Sequence, residues 1–348
     1  MQVLLTGHEG YIGAVLAPRL LAAGHQVVGL DAGWFADCAF GDDAALRGLP
    51  SLRRDLRQVQ ASHLAGFDAV VQLAALSNDP LGDLDPALTM AINEQATIRL
   101  ARLAKEAGVE RFVFSSSCST YGAAGDAFLD EQAPFSPVTP YALSKVRVEA
   151  ALMALADERF TPVALRNATA YGVSPRLRVD LVLNNLVAWA VTSGKILLMS
   201  DGTPWRPIVH VEDICSAFLA ALEAPRQAVH AQAFNIGRTA ENYRIRELAE
   251  IVAATVPGCT IRYAEGAGPD ARCYRVSCAK AEEGLPGYAA RWDAAAGARE
   301  LYDAYQAEGL SAERFAGPTY KRLGWIRHLQ AAGSLSPDLR WQVAATTA

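Results

Sequence analysis

With 348 residues, 51% of them hydrophobic, the chain is long enough for one large or two intimately joined domains around a sizeable core. Its 32 Lys and Arg against 37 Asp and Glu give a formal net charge of -5, which excludes the basic patch of a nucleic-acid binder. No apolar run approaches the roughly 18 residues of a membrane span, and the six cysteines include no C-x-x-C pair or dense framework. "MQVLLTG" runs directly into a strand-like pattern with no signal peptide, so the reading is a reduced, cytoplasmic protein with neither membrane nor nucleic-acid partner and no metal site.

In chain order, the apolar run 3–5 leads into "TGHEGYIG", which sets Gly7, Gly10 and Gly13 between a first strand and a first helix. Glycines there permit a tight turn and let a pyrophosphate approach the helix N-terminus, where free N–H groups and the dipole favour anions. Gly7, Gly10, Tyr11, Ile12 and Gly13 are the expected contacts. Pro18 should remove the bond to the Ala14 carbonyl inside this helix, at roughly 3 kcal/mol unless the helix bends. After the run 26–30, Asp31 closes the second strand, placed to hydrogen-bond an adenosine ribose and to repel the extra phosphate of NADP, which favours NAD. A strand-ending Asp is otherwise a turn former. "RRDL" then offers Asp55 and Leu56 to the adenine, and the run 68–75 ends in Leu73, Ala74 and Ala75, whose backbone can approach the cofactor.

A helix is expected over 86–107, capped by Asp85, opened by Pro86 and closed by Gly108, with Leu88, Ile92, Ala96, Leu100 and Leu103 on one face. The run 111–116 ends in "SSSCSTYG". "PYALSK" then places Tyr141 and Lys145 four apart, one helical turn from each other. A nearby ammonium and a positive nicotinamide favour the phenolate, which makes Tyr141 a general base and acid. The run 161–167 completes a series of strands alternating with helices, the pattern of an α/β fold built on a Rossmann-type, doubly wound parallel sheet. Beyond about residue 170 the pattern is irregular and reads as a smaller C-terminal substrate-binding domain. The expected division is 1–170 with a returning segment near 205–238 for the NAD-binding domain. Residues 171–204 and 239–348 form the substrate domain and tail, and from about residue 290 the tail carries no functional reading.

Taken together, "TGHEGYIG", Asp31, "LAA" (73–75), Asn93, "SSSCSTYG", Tyr141-x-x-x-Lys145 and "WRPIVHVED" resemble the extended short-chain dehydrogenase/reductases. The likeness is to their NAD-dependent epimerase/dehydratase branch, which acts on nucleotide sugars, and it covers roughly residues 1–240. The resemblance implies that Ser117 hydrogen-bonds the reacting sugar hydroxyl and that Lys145 holds the nicotinamide ribose. It also implies that Asn93 and Ser115 belong to the cofactor site, that Tyr121 and Gly122 shape the catalytic end, and that Ser77, Asn78, Cys118, Ser119, Asn167 and Thr169 face the substrate. Arg206 would contact the substrate diphosphate. A second, later diphosphate arginine is not at its usual place in "GAGPDARCYR", which leaves Arg272, Arg176 and Arg178 as alternatives, and Thr169 stands where such epimerases often carry Asn. Asn78 and Asp79 are equally readable as a solvated loop.

In the 4,6-dehydratases of this branch, the positions of Cys118 and Ser119 hold an Asp and a Glu. Their absence disfavours elimination, since proton abstraction from carbon needs a placed base. Cys118 has no neighbouring activator in the sequence and reads as packing rather than a nucleophile. The expectation is an NAD-dependent nucleotide-sugar epimerase that oxidises C4 transiently and returns the hydride to the opposite face. A reductase of a nucleotide-linked 4-keto sugar is the alternative; a 4,6-dehydratase and a non-catalytic dinucleotide sensor rank behind it. Relatives pair through a four-helix bundle, which implies a homodimer through the helix at 86–107 and the helix that carries Tyr141.

Overall fold

The computed structural model describes residues 1–268 and 273–342. Its central sheet contains β1 (Gln2–Thr6), β2 (Gln26–Asp31), β3 (Ser51–Arg53), β4 (Ala69–Gln72), β5 (Arg111–Ser117), β6 (Thr161–Asn167) and β7 (Gln232–Ile236). They lie in the order β7-β6-β5-β4-β1-β2-β3, and every neighbouring pair is parallel. All residues of β4 and β6 are buried, as parallel strands covered on both faces must be.

Eight helices matter here: α1 (Gly13–Ala22), α2 (Ala96–Glu106), α3 (Pro140–Leu155), α4 (Val182–Ser193), α5 (Val211–Glu223), α6 (Ile245–Thr255), α7 (Ala294–Ala307) and α8 (Arg322–Ala331). Helices α1 and α5 bring Val15, Leu16, Leu20, Ile214 and Phe218 into one core with Val3, Leu5 and Val71. Helices α2 and α3 cover the other face, where Leu100, Ala104, Val148 and Leu152 join Leu4, Val70 and Phe112. The alternation of Val3, Leu4 and Leu5 between the two cores is the period of a strand.

Two strands had no signal in the sequence runs. β3 is a three-residue edge strand, and β7 enters from a segment far along the chain, beside β6. Pro18 lies inside α1 as expected, and the helix runs through it, held by the buried faces of Val15, Leu16 and Leu20. The helix expected over 86–107 is a single helical run in three parts, Pro86–Thr89, a π-helical turn Met90–Gln95, and α2. Asp85 caps it as expected, accepting the Leu88 amide at 3.0 Å. Its apolar face is used within the chain, Leu88 and Ile92 against α8 and Ala96 and Leu100 against the sheet. That face therefore supplies no argument for a dimer.

The later chain builds a second layer. Helices α4, α6 and α7 enclose Leu183, Leu186, Val187, Leu248, Val252, Leu301 and Tyr305. A three-stranded sheet joins Trp205–His210 to Asn242–Arg244 and Thr169–Tyr171, and a parallel pair joins Lys195–Ser200 to Thr260–Gly268. Helix α8 returns to the first layer, where Ile326 and Leu329 pack with Trp34, Leu76 and Leu81. Burying two such side chains is worth about 1.5–3 kcal/mol each, enough to hold a short terminal helix in place. The strand order reverses at β1, which has β2 on one side and β4 on the other, and open parallel sheets bind ligands at the carboxyl ends of the strands around such a point.

Candidate active site

A cavity of about 1100 Å³ runs along those carboxyl ends. Gly7, Gly10, Tyr11, Ile12 and Gly13 form one wall. Gly7 has φ +74°, and a Cβ added to it would lie 2.7 Å from the Ala74 amide nitrogen, so only glycine fits between the turn and the end of β4. The Thr6 hydroxyl oxygen fixes that second loop by accepting the Leu73 and Ala74 amides, each at 3.2 Å. Leu73, Ala74 and Ala75 line the cavity beside it, as do Asp31, Asp55 and Leu56. The Asp31 carboxylate accepts the Glu9 amide at 3.1 Å and the Gly33 amide at 2.8 Å, which aims it from the strand end into the cavity. Burial, and then the Asp31 charge, push the neighbouring Glu9 carboxyl above its ordinary value. Asp55 is tied to its own side, to Arg57 at 2.6 Å and to Arg340 of the tail at 3.1 Å.

At the other end, β5 delivers Ser115 and Ser117 to the cavity, the turn after it delivers Ser119, and α3 delivers Tyr141 and Lys145. Thr139 caps α3 by accepting the Ala142 amide, and Pro140 takes the first helical position. Lys145 is 5% exposed; its Nζ donates to the Ser115 carbonyl at 2.7 Å and lies 5.4 Å from the centre of the Tyr141 ring. Burial pushes this ammonium down to about 7, against the pull of Glu149. Burial and then Asp79 push the Tyr141 phenol up to about 12, while a hydrogen bond to Ser117 and the charge of Arg178 oppose the rise. The spacing of the two residues points to a phenol lowered by its neighbour. In the protein by itself the phenol stays protonated, because its own burial and the Asp79 charge outweigh the Ser117 hydrogen bond and Arg178.

Asn167, Thr169, Ser77, Asn78 and Arg206 also line the cavity. The Asn167 amide donates to Ser115 Oγ at 3.1 Å, and its Oδ1 is buried with no partner. Four expected residues do not reach it. Cys118 is fully buried beside Tyr121, Val276 and Cys278 and donates to the Arg166 carbonyl at 3.1 Å, because it follows Ser117 onto the opposite side of the chain. Burial pushes its thiol well above the ordinary value, so it is inert packing. Asn93 points from the π-helical turn at the backbone of Leu76, donating at 3.0 Å and accepting at 2.8 Å, and so positions the loop after β4. Arg176 is 3% exposed and paired with Asp43 at 3.0 Å. Arg272 lies outside the described residues. Tyr121 also turns away, into a buried network with Arg166 and Asn235 at 2.9 and 2.8 Å, while Gly122 stays on the cavity wall.

Of the further wall residues, Arg178 is one of the three arginine alternatives and Asp79 is read with Asn78, whereas sequence reasoning missed Asp180 and the residues that follow. Arg178 grips Asp180 with two bonds of 3.0 Å, and Asp180 also accepts from Asn78 at 2.8 Å. Asp79 accepts the Thr139 hydroxyl at 2.7 Å. Trp34, Phe35, Lys321, Arg322 and Arg327 line the cavity as well. The spacing "RLRVD" is a local signal for the Arg178–Asp180 pair. No local signal exists for the residues of α8.

Residues 3–237 match the NAD-dependent epimerase/dehydratase family. The chain belongs to that family. Among curated relatives it is 31% identical to the UDP-glucose 4-epimerase of Mycolicibacterium smegmatis, over 74% of this chain and 83% of the relative. A UDP-glucose-4-epimerase from Stenotrophomonas maltophila, solved with NAD and formylated UDP-arabinopyranose, superposes with a TM-score of 0.77 at 25% identity, covering 89% of this chain and 99% of that one. A dTDP-glucose 4,6-dehydratase from Streptomyces venezuelae with NAD bound gives 0.75 at 26%, covering 88% and 97%. The cavity fits the family's cofactor: the close approach of Gly7 to Ala74 leaves backbone rather than side chains facing a pyrophosphate, and the aimed Asp31 suits the diol of an adenosine ribose. NAD is the cofactor of this chain, as it is of the family.

Proposed function

We propose that the chain epimerises a nucleotide-linked sugar at C4, with Ser117, Tyr141 and Lys145 as its catalytic residues. NAD, when bound, accepts a hydride from the C4 carbinol and later returns it. Ser117 orients the reacting hydroxyl, and Tyr141 takes its proton as the carbonyl forms. Lys145 would hold the nicotinamide ribose and, with the charge on the oxidised ring, draw the phenol down from its resting value. After the ketone turns its other face, Tyr141 gives the proton back.

The observation that carries this reading over elimination is the state of the carboxylates. Among the described residues, the cavity wall holds Asp31, Asp55, Asp79 and Asp180, and all four are engaged. Backbone amides hold Asp31, Arg57 holds Asp55, Thr139 donates to Asp79 and Arg178 holds Asp180. A dehydratase needs a base to remove the C5 proton. Nucleotide-sugar recognition is supported by Arg206 in the wall and by the relatives that act on such sugars. We also propose a homodimer through the outer surfaces of α2 and α3, the pairing that the family resemblance implies, where Ile98 and Met153 remain only partly buried.

Turnover of the cognate sugar nucleotide in heavy water tests the reaction. Internal hydride return leaves the product without carbon-bound deuterium and at unchanged mass. A product lighter by one water and carrying one deuterium at C5 would refute epimerisation.

A further inference from the structure

We propose that Arg322, with the first turn of α8, binds the pyrophosphate of the cofactor, so that the far C-terminal segment completes the anion site begun by the glycine-rich turn. Helix α8 spans Arg322–Ala331, and the first amides of a helix have no intrahelical partner and favour anions. Arg322 is 2% exposed and in the cavity wall. Its Nη2 donates to the Arg176 carbonyl at 2.9 Å, while its Nη1 is buried with no partner.

Two contacts locate it. The guanidinium sits 4.1 Å over the Phe35 ring, on the loop after Asp31. The loop that carries Arg176 is fastened to the glycine-rich turn, with Ser174 Oγ donating to the Tyr11 carbonyl at 2.8 Å and the Tyr11 hydroxyl donating to the Gly172 carbonyl at 2.7 Å. Arg322 is thus held between the segment after β2, which meets the adenosine ribose, and a loop fastened to the turn after β1, which meets the pyrophosphate in a doubly wound sheet.

Charge points the same way. Arg176 pairs with Asp43 and Arg178 with Asp180, which leaves Arg322 without an ion pair of its own among the described residues. Burial and the like charge of Arg178 push it down to about 10, with Asp180 pulling the other way. A buried cation without a partner is costly, and a bound anion supplies one. The substrate diphosphate is the other source of that anion, and Arg206, on the strand Trp205–His210, is the residue expected to meet it.

The test is calorimetric titration of nucleotide-free protein with NAD+ and with UDP or dTDP, whichever the unaltered chain binds. Arg322→Gln keeps a donor for the Arg176 carbonyl and removes the charge, whereas Arg322→Lys keeps the charge. The expected result is an NAD+ affinity at least about tenfold weaker in Arg322→Gln and only a few-fold weaker in Arg322→Lys, with nucleoside diphosphate affinity within twofold in both. An unchanged NAD+ affinity in Arg322→Gln overturns the proposal. So does a loss confined to the nucleoside diphosphate, which would assign Arg322 to the substrate. Should Arg322→Gln fail to fold, hydrogen exchange on the unaltered chain decides: NAD+ should slow the amides of residues 322–324 and the nucleoside diphosphate should not, and absence of protection by NAD+ refutes the assignment.

Discussion

Replacing Lys145 by Met should stabilise the NAD-free protein while abolishing turnover. Lys145 is buried to 5% exposure, and burial lowers it from 10.5 to about 7. Each tenfold change in proton affinity is worth about 1.4 kcal/mol, so at pH 6.5 the folded state carries a penalty of roughly 4–5 kcal/mol at this side chain. Methionine has nearly the same length and no charge. Its own cost is the lost bond to the Ser115 carbonyl, about 1–2 kcal/mol, which leaves a net gain of about 3 kcal/mol. The sign is set by which state holds the proton. Below pH 7 both the folded and unfolded chains are protonated and the penalty is complete. Between about 7 and 10.5 only the unfolded chain holds the proton, so wild-type stability rises with pH and the advantage of Met fades, to nothing by about pH 10. Urea unfolding of both NAD-stripped proteins at pH 6.5 and 9.5 measures this. A variant less stable than wild type at pH 6.5, or a gap that does not narrow at pH 9.5, would show that Lys145 is not held against its own desolvation.

Tyr141→Phe should keep the fold and its NAD and lower turnover by about 100-fold or more, the scale of general acid-base groups; turnover within a few-fold of wild type removes Tyr141 from the chemistry. Asp31→Ser should raise the ratio of NADP to NAD affinity at least about tenfold by calorimetry, because it removes the carboxylate held by the Glu9 and Gly33 amides, and an unchanged ratio contradicts the placing of the adenosine ribose at Asp31. Light scattering should report a dimer at micromolar concentration, and a monomer there sinks the pairing through α2 and α3.

Local chemistry was readable before the fold. A glycine-rich turn, an Asp at a strand end and a Tyr–Lys pair one turn apart are set by short-range geometry, and the cavity collects them. Cys118 was misplaced although the means to place it were present. Successive strand residues point their side chains to opposite faces, so the expectation that put Ser115 and Ser117 in the site should have turned the Ser116 hydroxyl and the Cys118 thiol away from it. Indeed Ser116 Oγ donates to Glu149, and Cys118 faces the Arg166 carbonyl. Asn93, assigned to the cofactor site by the resemblance alone, lies within the π-helical turn Met90–Gln95 and spends its amide on the Leu76 backbone, a contact across 17 residues that no local pattern reveals. Arg322 was out of reach altogether, because its contacts to Phe35 and Arg176 cross most of the chain and depend on how α8 packs.

The last residues of α8 and its extension bear on the property that distinguishes an epimerase from a reductase, the residence of the cofactor. An epimerase must keep one NAD through oxidation and return, whereas a reductase must exchange it each cycle. Beyond α8 the chain doubles back over the adenosine end of the cavity. Trp341 Nε1 donates to the Ala32 carbonyl at 2.6 Å, Arg53 lies 5.2 Å from its ring, Arg57 donates to the Asp338 and Leu339 carbonyls at 2.9 and 3.2 Å, and Leu339 is fully buried. A smaller cavity of about 170 Å³ lies under this segment and shares Ala32, Trp34, Arg54 and Asp55 with the large one. Trp341 is itself 39% exposed, so Trp341→Ala loosens the cover with little effect on the core. Losing one hydrogen bond and one cation–π contact, each about 0.5–1.5 kcal/mol, should speed NAD release by about fivefold to a hundredfold. Dilution of the loaded protein into an NAD-scavenging enzyme gives that rate directly. A release rate unchanged by the substitution would mean that the cofactor leaves by another route and that this segment does not set its residence.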